Sequence, residues 1–167
     1  MPRARQVTKE GRLHAELVRL FMEQHLRFTG GRWAGKPFKL EPWQWSRMVL
    51  PVFGTLDRRG RRIYREALFG LPRWSGKSQL AAGLALAVMF TEPTYEGEYY
   101  VVATTRKQAG IVFDKAKRMV LADPELRAVT RVYRDVLEVE ETGALFRVLP
   151  WDRSEERRVG KEGRSRW

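Results

Sequence analysis

Nine residues, Gly70-Leu71-Pro72-Arg73-Trp74-Ser75-Gly76-Lys77-Ser78, bring a glycine, a cation and a hydroxyl together in consecutive positions. A nucleoside triphosphate needs backbone N–H groups aimed at its phosphates, positive charge near the β and γ oxygens, and a hydroxyl that can ligate Mg²⁺. Gly76 allows close backbone approach, Lys77 supplies the charge, and Ser78 supplies the hydroxyl. The spacing departs from G-x-x-x-x-G-K-[ST]: Leu71 stands where the first glycine belongs, and Gly70 comes one residue early. Gly-Lys-Ser by itself is common by chance, so its weight comes from the surrounding elements. Arg73 and Trp74 add a second cation and an aromatic ring that a plain turn would not require.

The elements that must hold this loop can be read from residue periodicity. Residues 63–69 are predicted as a strand leading into it, and 77–90 as a helix leaving it, apolar almost all round and therefore buried on most sides. Upstream, Thr8 is available to cap a helix over 9–28 that places Leu13, Leu17, Leu20, Phe21 and Phe28 on one inward face, ended by Gly30-Gly31. Pro42 opens a second helical segment through Phe53, and the basic stretch at 57–62 reads as a solvated turn. Downstream, 99–103 is a continuous β-favouring run expected to be covered on both faces. Helix 106–121 turns Ala109, Val112, Phe113, Ala116, Met119 and Val120 inward. Strands at 132–139 and 144–149 form a hairpin about 140–143. The alternation predicts an α/β fold with parallel central strands.

Composition narrows the chemistry. The 167 residues contain no cysteine and two histidines, which excludes disulfides, thiolate chemistry and a zinc site, and suits a reducing compartment. The longest apolar run, 80–90, is too short to span a membrane, and the first residues lack a signal-peptide core. A net charge of +12 points to a polyanionic partner such as nucleic acid. Residues 153–167 are charged, nearly devoid of large apolar groups, and similar to the translation of a sequencing adapter, so they are read as a disordered, non-native tail. Without them the chain keeps +9.

Pro72-Arg73-Trp74-Ser75-Gly76-Lys77-Ser78, together with Leu40-Glu41-Pro42-Trp43-Gln44 upstream and Ala103-Thr104-Thr105-Arg106-Lys107-Gln108-Ala109 downstream, resembles the large subunit of the terminase of tailed bacteriophages. The resemblance covers residues 40–150. It implies a P-loop NTPase of RecA-like type, truncated, with a helical segment at 1–39 and a partial ATPase domain at 40–152. It further implies ATP and Mg²⁺ as cofactors, held by Gln44 at the adenine, by 72–78 at the phosphates and by Ser78 at the metal, with Arg73 acting on the γ-phosphate and Lys77 catalytic beside it. The partners implied are double-stranded DNA, a terminase small subunit and the capsid portal, in a homo-oligomeric ring in the host cytoplasm, with no membrane. An apolar run ending in Asp-Glu, which would organise magnesium and the attacking water, does not occur; Asp135 to Glu141 alternates as a half-exposed strand does, and the nuclease carboxylates would lie later still. A helicase-like ATPase and a basic nucleic-acid-binding module without turnover remain open as alternatives.

Overall fold

A computed structural model describes residues 7–150; the tail at 153–167 lies outside the described residues. Helix α1 (Lys9–His25) is opened by Thr8, whose hydroxyl accepts from the Gly11 N–H at 3.0 Å. A loop then doubles back, with Arg27 bridging Pro37 and a three-ten turn at Gly31–Trp33 at its tip. Helix α2 (Pro42–Gln44), a π turn (Trp45–Val49) and α3 (Leu50–Gly54) run on as one interrupted helix. Helix α4 (Lys77–Thr91) leaves the glycine loop, followed by β1 (Glu98–Ala103), α5 (Arg106–Ala122), α6 (Pro124–Val129), β2 (Thr130–Val132), β3 (Val136–Val139) and β4 (Ala144–Pro150). Helix α6 went unanticipated, although Asp123 caps it and Pro124 begins it in the usual way.

The sheet is mixed, in the order β1-β4-β3-β2. The fold is α/β as expected, but the parallel sheet needs correction: among the described residues only β1 and β4 run parallel, and β3 is antiparallel to both of its neighbours. The four-residue link 140–143 forces this, because a parallel pair needs a crossover of a dozen residues or more. The predicted strand 132–139 is broken by a turn closed from Tyr133 N–H to the Val136 carbonyl at 2.9 Å. The strand expected at 63–69 does not form. Its surroundings hold only an isolated bridge between Leu56 and Arg62, and Leu68 is 99% exposed. Strand propensity is realised only against a neighbouring ladder, and no described strand lies beside this segment. Strand β1, expected to be covered on both faces, alternates instead, with Tyr100 and Val102 exposed on one of them.

Helix α5 lies on β1 and β4, where Phe113 meets Phe146 with ring centroids 5.6 Å apart; α4 packs on α5, and α1 packs on α4 and α3. The face of α1 is also corrected. Leu13, Leu17 and Leu20 point outward, Leu17 at 58% exposure, whereas Gly11, Ala15, Val18 and Met22 are buried. Close approach selected that face: a Cβ at Gly11 would strike the Gly54 carbonyl, so small residues allow α1 and α3 a contact that leucines would block. Phe21 does pack, against Phe90; Phe28, expected on the same helix, lies in the loop beyond its end at His25 and stacks on Phe38. Among the described residues no helix is long and apolar enough to cross a membrane.

These opposite faces separate by mutation. Met22→Ala, which empties a fully buried site, should cost about 2–5 kcal/mol in urea unfolding. Leu17→Ala should stay within about 0.5 kcal/mol, as exposed positions do. A larger loss at Leu17 than at Met22 would show that the leucine face is the buried one.

Candidate nucleotide site

The glycine loop is built from its own backbone. Ser75 Oγ donates to the Pro72 carbonyl at 2.8 Å and draws the loop into a tight turn. Trp74 sits at φ 67° with its indole wholly exposed, a left-handed conformation that costs a side-chain-bearing residue about 1–2 kcal/mol. Gly76, at φ 77°, takes the N-cap position of α4 without that cost, and nothing lies within 4 Å of where its Cβ would be. No described side chain caps the first turn of α4, so its N–H groups remain turned toward the loop mouth, as an anion would require. The Lys77 amine is exposed and donates to the Leu71 carbonyl at 3.1 Å. Ser78 lies half-buried behind it, and Arg73 is exposed.

Gln44 approaches from the other side. It is 8% exposed, and its Oε1 accepts from the Glu41 N–H at 2.9 Å in a capping-box arrangement that fixes the amide plane. One oxygen lone pair and the NH₂ donors are left over, which is the pattern a purine edge can meet. Between Gln44 and the loop lies a cavity of about 750 Å³, within the range usual for cofactor sites. Gln44, Trp74, Ser75 and Gly76 all line it. Pro72, Arg73, Lys77 and Ser78 adjoin it in the chain but do not form its walls. Sequence reasoning missed Arg32, Trp33, Lys36 and Gln79, which also line it. The available signals were an aromatic and a lysine three apart on either side of Gly35, and an amide in the first turn of an otherwise apolar helix.

The other singled-out residues stand elsewhere. Thr104 to Ala109 form the β1–α5 junction, which follows the edge strand of the described sheet. Thr105 caps α5 and Thr104 Oγ1 donates to Gln108 Oε1 at 2.6 Å. In the acidic segment, Asp135 pairs with Arg106 at 2.9 Å and Glu140 with Arg131 at 3.0 Å, outside the cavity walls. Two arginines of the basic turn, Arg61 and Arg62, are paired with carboxylates. Asp57 Oδ1 accepts from the backbone N–H groups of Arg61 and Arg59, with the Arg61 guanidinium at 3.0 Å, and the Arg61 N–H does most to hold the Asp57 carboxyl below its usual pKa. Arg62 pairs with Glu92, also at 3.0 Å, and His14 lies 3.4 Å from the same carboxylate. Much of the charge around the second cavity, about 500 Å³ between these groups, is therefore compensated.

Comparison with known proteins bears on the same residues. The large terminase subunit of Enterobacteria phage HK97 is 30% identical over 118 residues, which is 70% of this chain and 22% of that protein. The crystal structure of the HK97 bacteriophage large terminase superposes with a TM-score of 0.70 at 26% identity, covering 81% of this chain and 27% of that one. The chain thus spans about a quarter of the length of these relatives. Residues 42–146, from the helix that carries Gln44 to β4, match the family described as the terminase large subunit, ATPase domain, and this chain belongs to that family.

Proposed function

We propose that this chain is the nucleotide-binding part of a DNA-packaging motor, in which the longer protein couples ATP hydrolysis to the movement of double-stranded DNA into a capsid in the host cytoplasm. The observation that carries this reading is the single cavity shared by Gln44 and the glycine loop at the start of α4, in a chain of the terminase ATPase family. Gln44 would hold the adenine edge with its fixed amide. Gly76 and the first turn of α4 would receive the phosphates, and Lys77 would leave the Leu71 carbonyl for the β and γ oxygens. Ser78 would ligate Mg²⁺, which when bound neutralises charge on those oxygens. Arg73, exposed on the loop, would meet the γ-phosphate as charge develops there. The small subunit, the portal, a ring of copies and a nuclease domain are partners and parts of that longer protein under the same reading. So is the division into a helical segment at 1–39, an ATPase portion at 40–152 and a non-native tail at 153–167.

Lys77→Ala should weaken ATP binding at least about tenfold in calorimetry on folded protein, because a charge-assisted contact contributes about 1.5–3 kcal/mol. Equal affinity would remove the phosphate-loop assignment. In the longer protein, Arg73→Ala should lower the maximal ATPase rate more than ATP affinity, as a contact made in the transition state does. Loss of affinity with the rate intact would assign Arg73 to ground-state binding instead.

Turnover by this chain alone should be absent. Among the described residues the cavity offers one wall carboxylate, Glu41, and Asp135 and Glu140 are engaged with arginines away from it. A phosphate-release assay on purified monomer checks this, and turnover abolished by Lys77→Ala would place the missing carboxylate within residues 1–152.

A further inference from the structure

The doubled-back loop between α1 and α2 ends in an arrangement that neither the glycine loop nor Gln44 explains. Its base is firmly built: Phe28 and Lys36 are joined by a backbone hydrogen bond of 3.0 Å, Phe38 N–H donates to the Leu26 carbonyl at 3.0 Å, and the Phe28 and Phe38 rings stack with centroids 4.6 Å apart. That base is tied to α4 by Gln79, two residues past the loop lysine. The buried Gln79 Oε1 accepts from Thr29 Oγ1 at 3.1 Å and faces the Thr29 N–H at 3.4 Å. The tip is therefore held beside the mouth of the glycine loop, across the cavity both of them line.

At the tip, Trp33 is 47% exposed, and two cations lie over its ring: the Arg32 guanidinium at 5.1 Å and the Lys36 amine at 4.8 Å. An exposed cation–π pair is worth little to folding. Its effect here is to fix two long, flexible cations in place, and both line the cavity together with Lys39, against one acid, Glu41. A cavity with an apolar interior and a wall of oriented positive charge fits a ligand that is aromatic at one end and polyanionic at the other.

We propose that the 31–36 turn is a second wall of the nucleotide pocket, in which Trp33 holds Arg32 and Lys36 as a cationic clip for the phosphates of a nucleoside triphosphate. The proposal rests on the nucleotide reading of the same cavity. It makes Trp33 a positioning residue and the two cations binding residues.

Calorimetry with ATP on the 167-residue chain at low salt tests it, with thermal melting as a check on folding. The Arg32→Ala/Lys36→Ala double variant should bind ATP about tenfold more weakly with an unchanged melting midpoint. Trp33→Ala should lose several-fold, and Trp33→Phe should stay within about twofold of wild type, because a phenyl face can still hold a cation. Lys77→Ala runs alongside. If it weakens ATP binding while the double variant stays within about twofold of wild type, the clip is overturned and the pocket reading stands. If neither variant changes ATP affinity, the pocket reading fails and the clip falls with it. A double variant that loses affinity for a double-stranded DNA oligonucleotide but not for ATP also overturns the clip, and assigns its cations to nucleic acid.

Discussion

Burial of α4 is the constraint on which the remaining structure depends. Leu80, Ala82, Gly83, Leu86, Ala87 and Met89 are enclosed by α1 on one side and α5 on another, so this helix cannot turn or slide without opening the core. A helix apolar on nearly every side has no preferred solvent face, and its orientation is set by its neighbours. Its first turn is correspondingly well placed, since Gly76, Lys77 and Ser78 inherit their position from several buried residues behind them. The phosphate loop has little support of its own: it is exposed, tied by one side-chain hydrogen bond and one lysine contact, and strained at Trp74. A site organised this way takes its precision from the helix and its adaptability from the loop.

Helical elements were legible in the sequence because their signals are local. Thr8 and Thr105 cap the helices they precede, and the apolar set on α5 is buried at Ala109, Phe113, Ala116, Met119 and Val120 as its spacing implies. What was not legible depends on partners distant in the chain. The choice between the leucine face and the Gly11, Ala15, Val18, Met22 face of α1 was made by the backbone of α3, which periodicity cannot see. Residues 63–69 have the composition of a strand but no adjacent strand to bond.

The candidate site divides along the same line. Gly76, Lys77 and Ser78 could be picked out because their chemistry is contiguous in the chain, and Gln44 because the segment around it resembles a known family. Trp33, Lys36 and Gln79 carry no contiguous signal. They meet the loop only after the chain has turned back at 27–37 and Thr29 has found Gln79 across fifty residues. Net charge was similarly blunt: the arginines at 61 and 62, conspicuous in the sequence, turn out to hold Asp57 and Glu92.

Helix α4 ends as informatively as it begins. Fifteen residues at a rise of about 1.5 Å make a rod of roughly 22 Å, and just past its far end the Glu92 carboxylate pairs with Arg62 at 3.0 Å and lies 3.4 Å from His14. The spacing between Lys77 and Glu92 is therefore set by this one buried element. The rod thereby joins the glycine loop to the arginine turn and to α1 as a strut joins two joints.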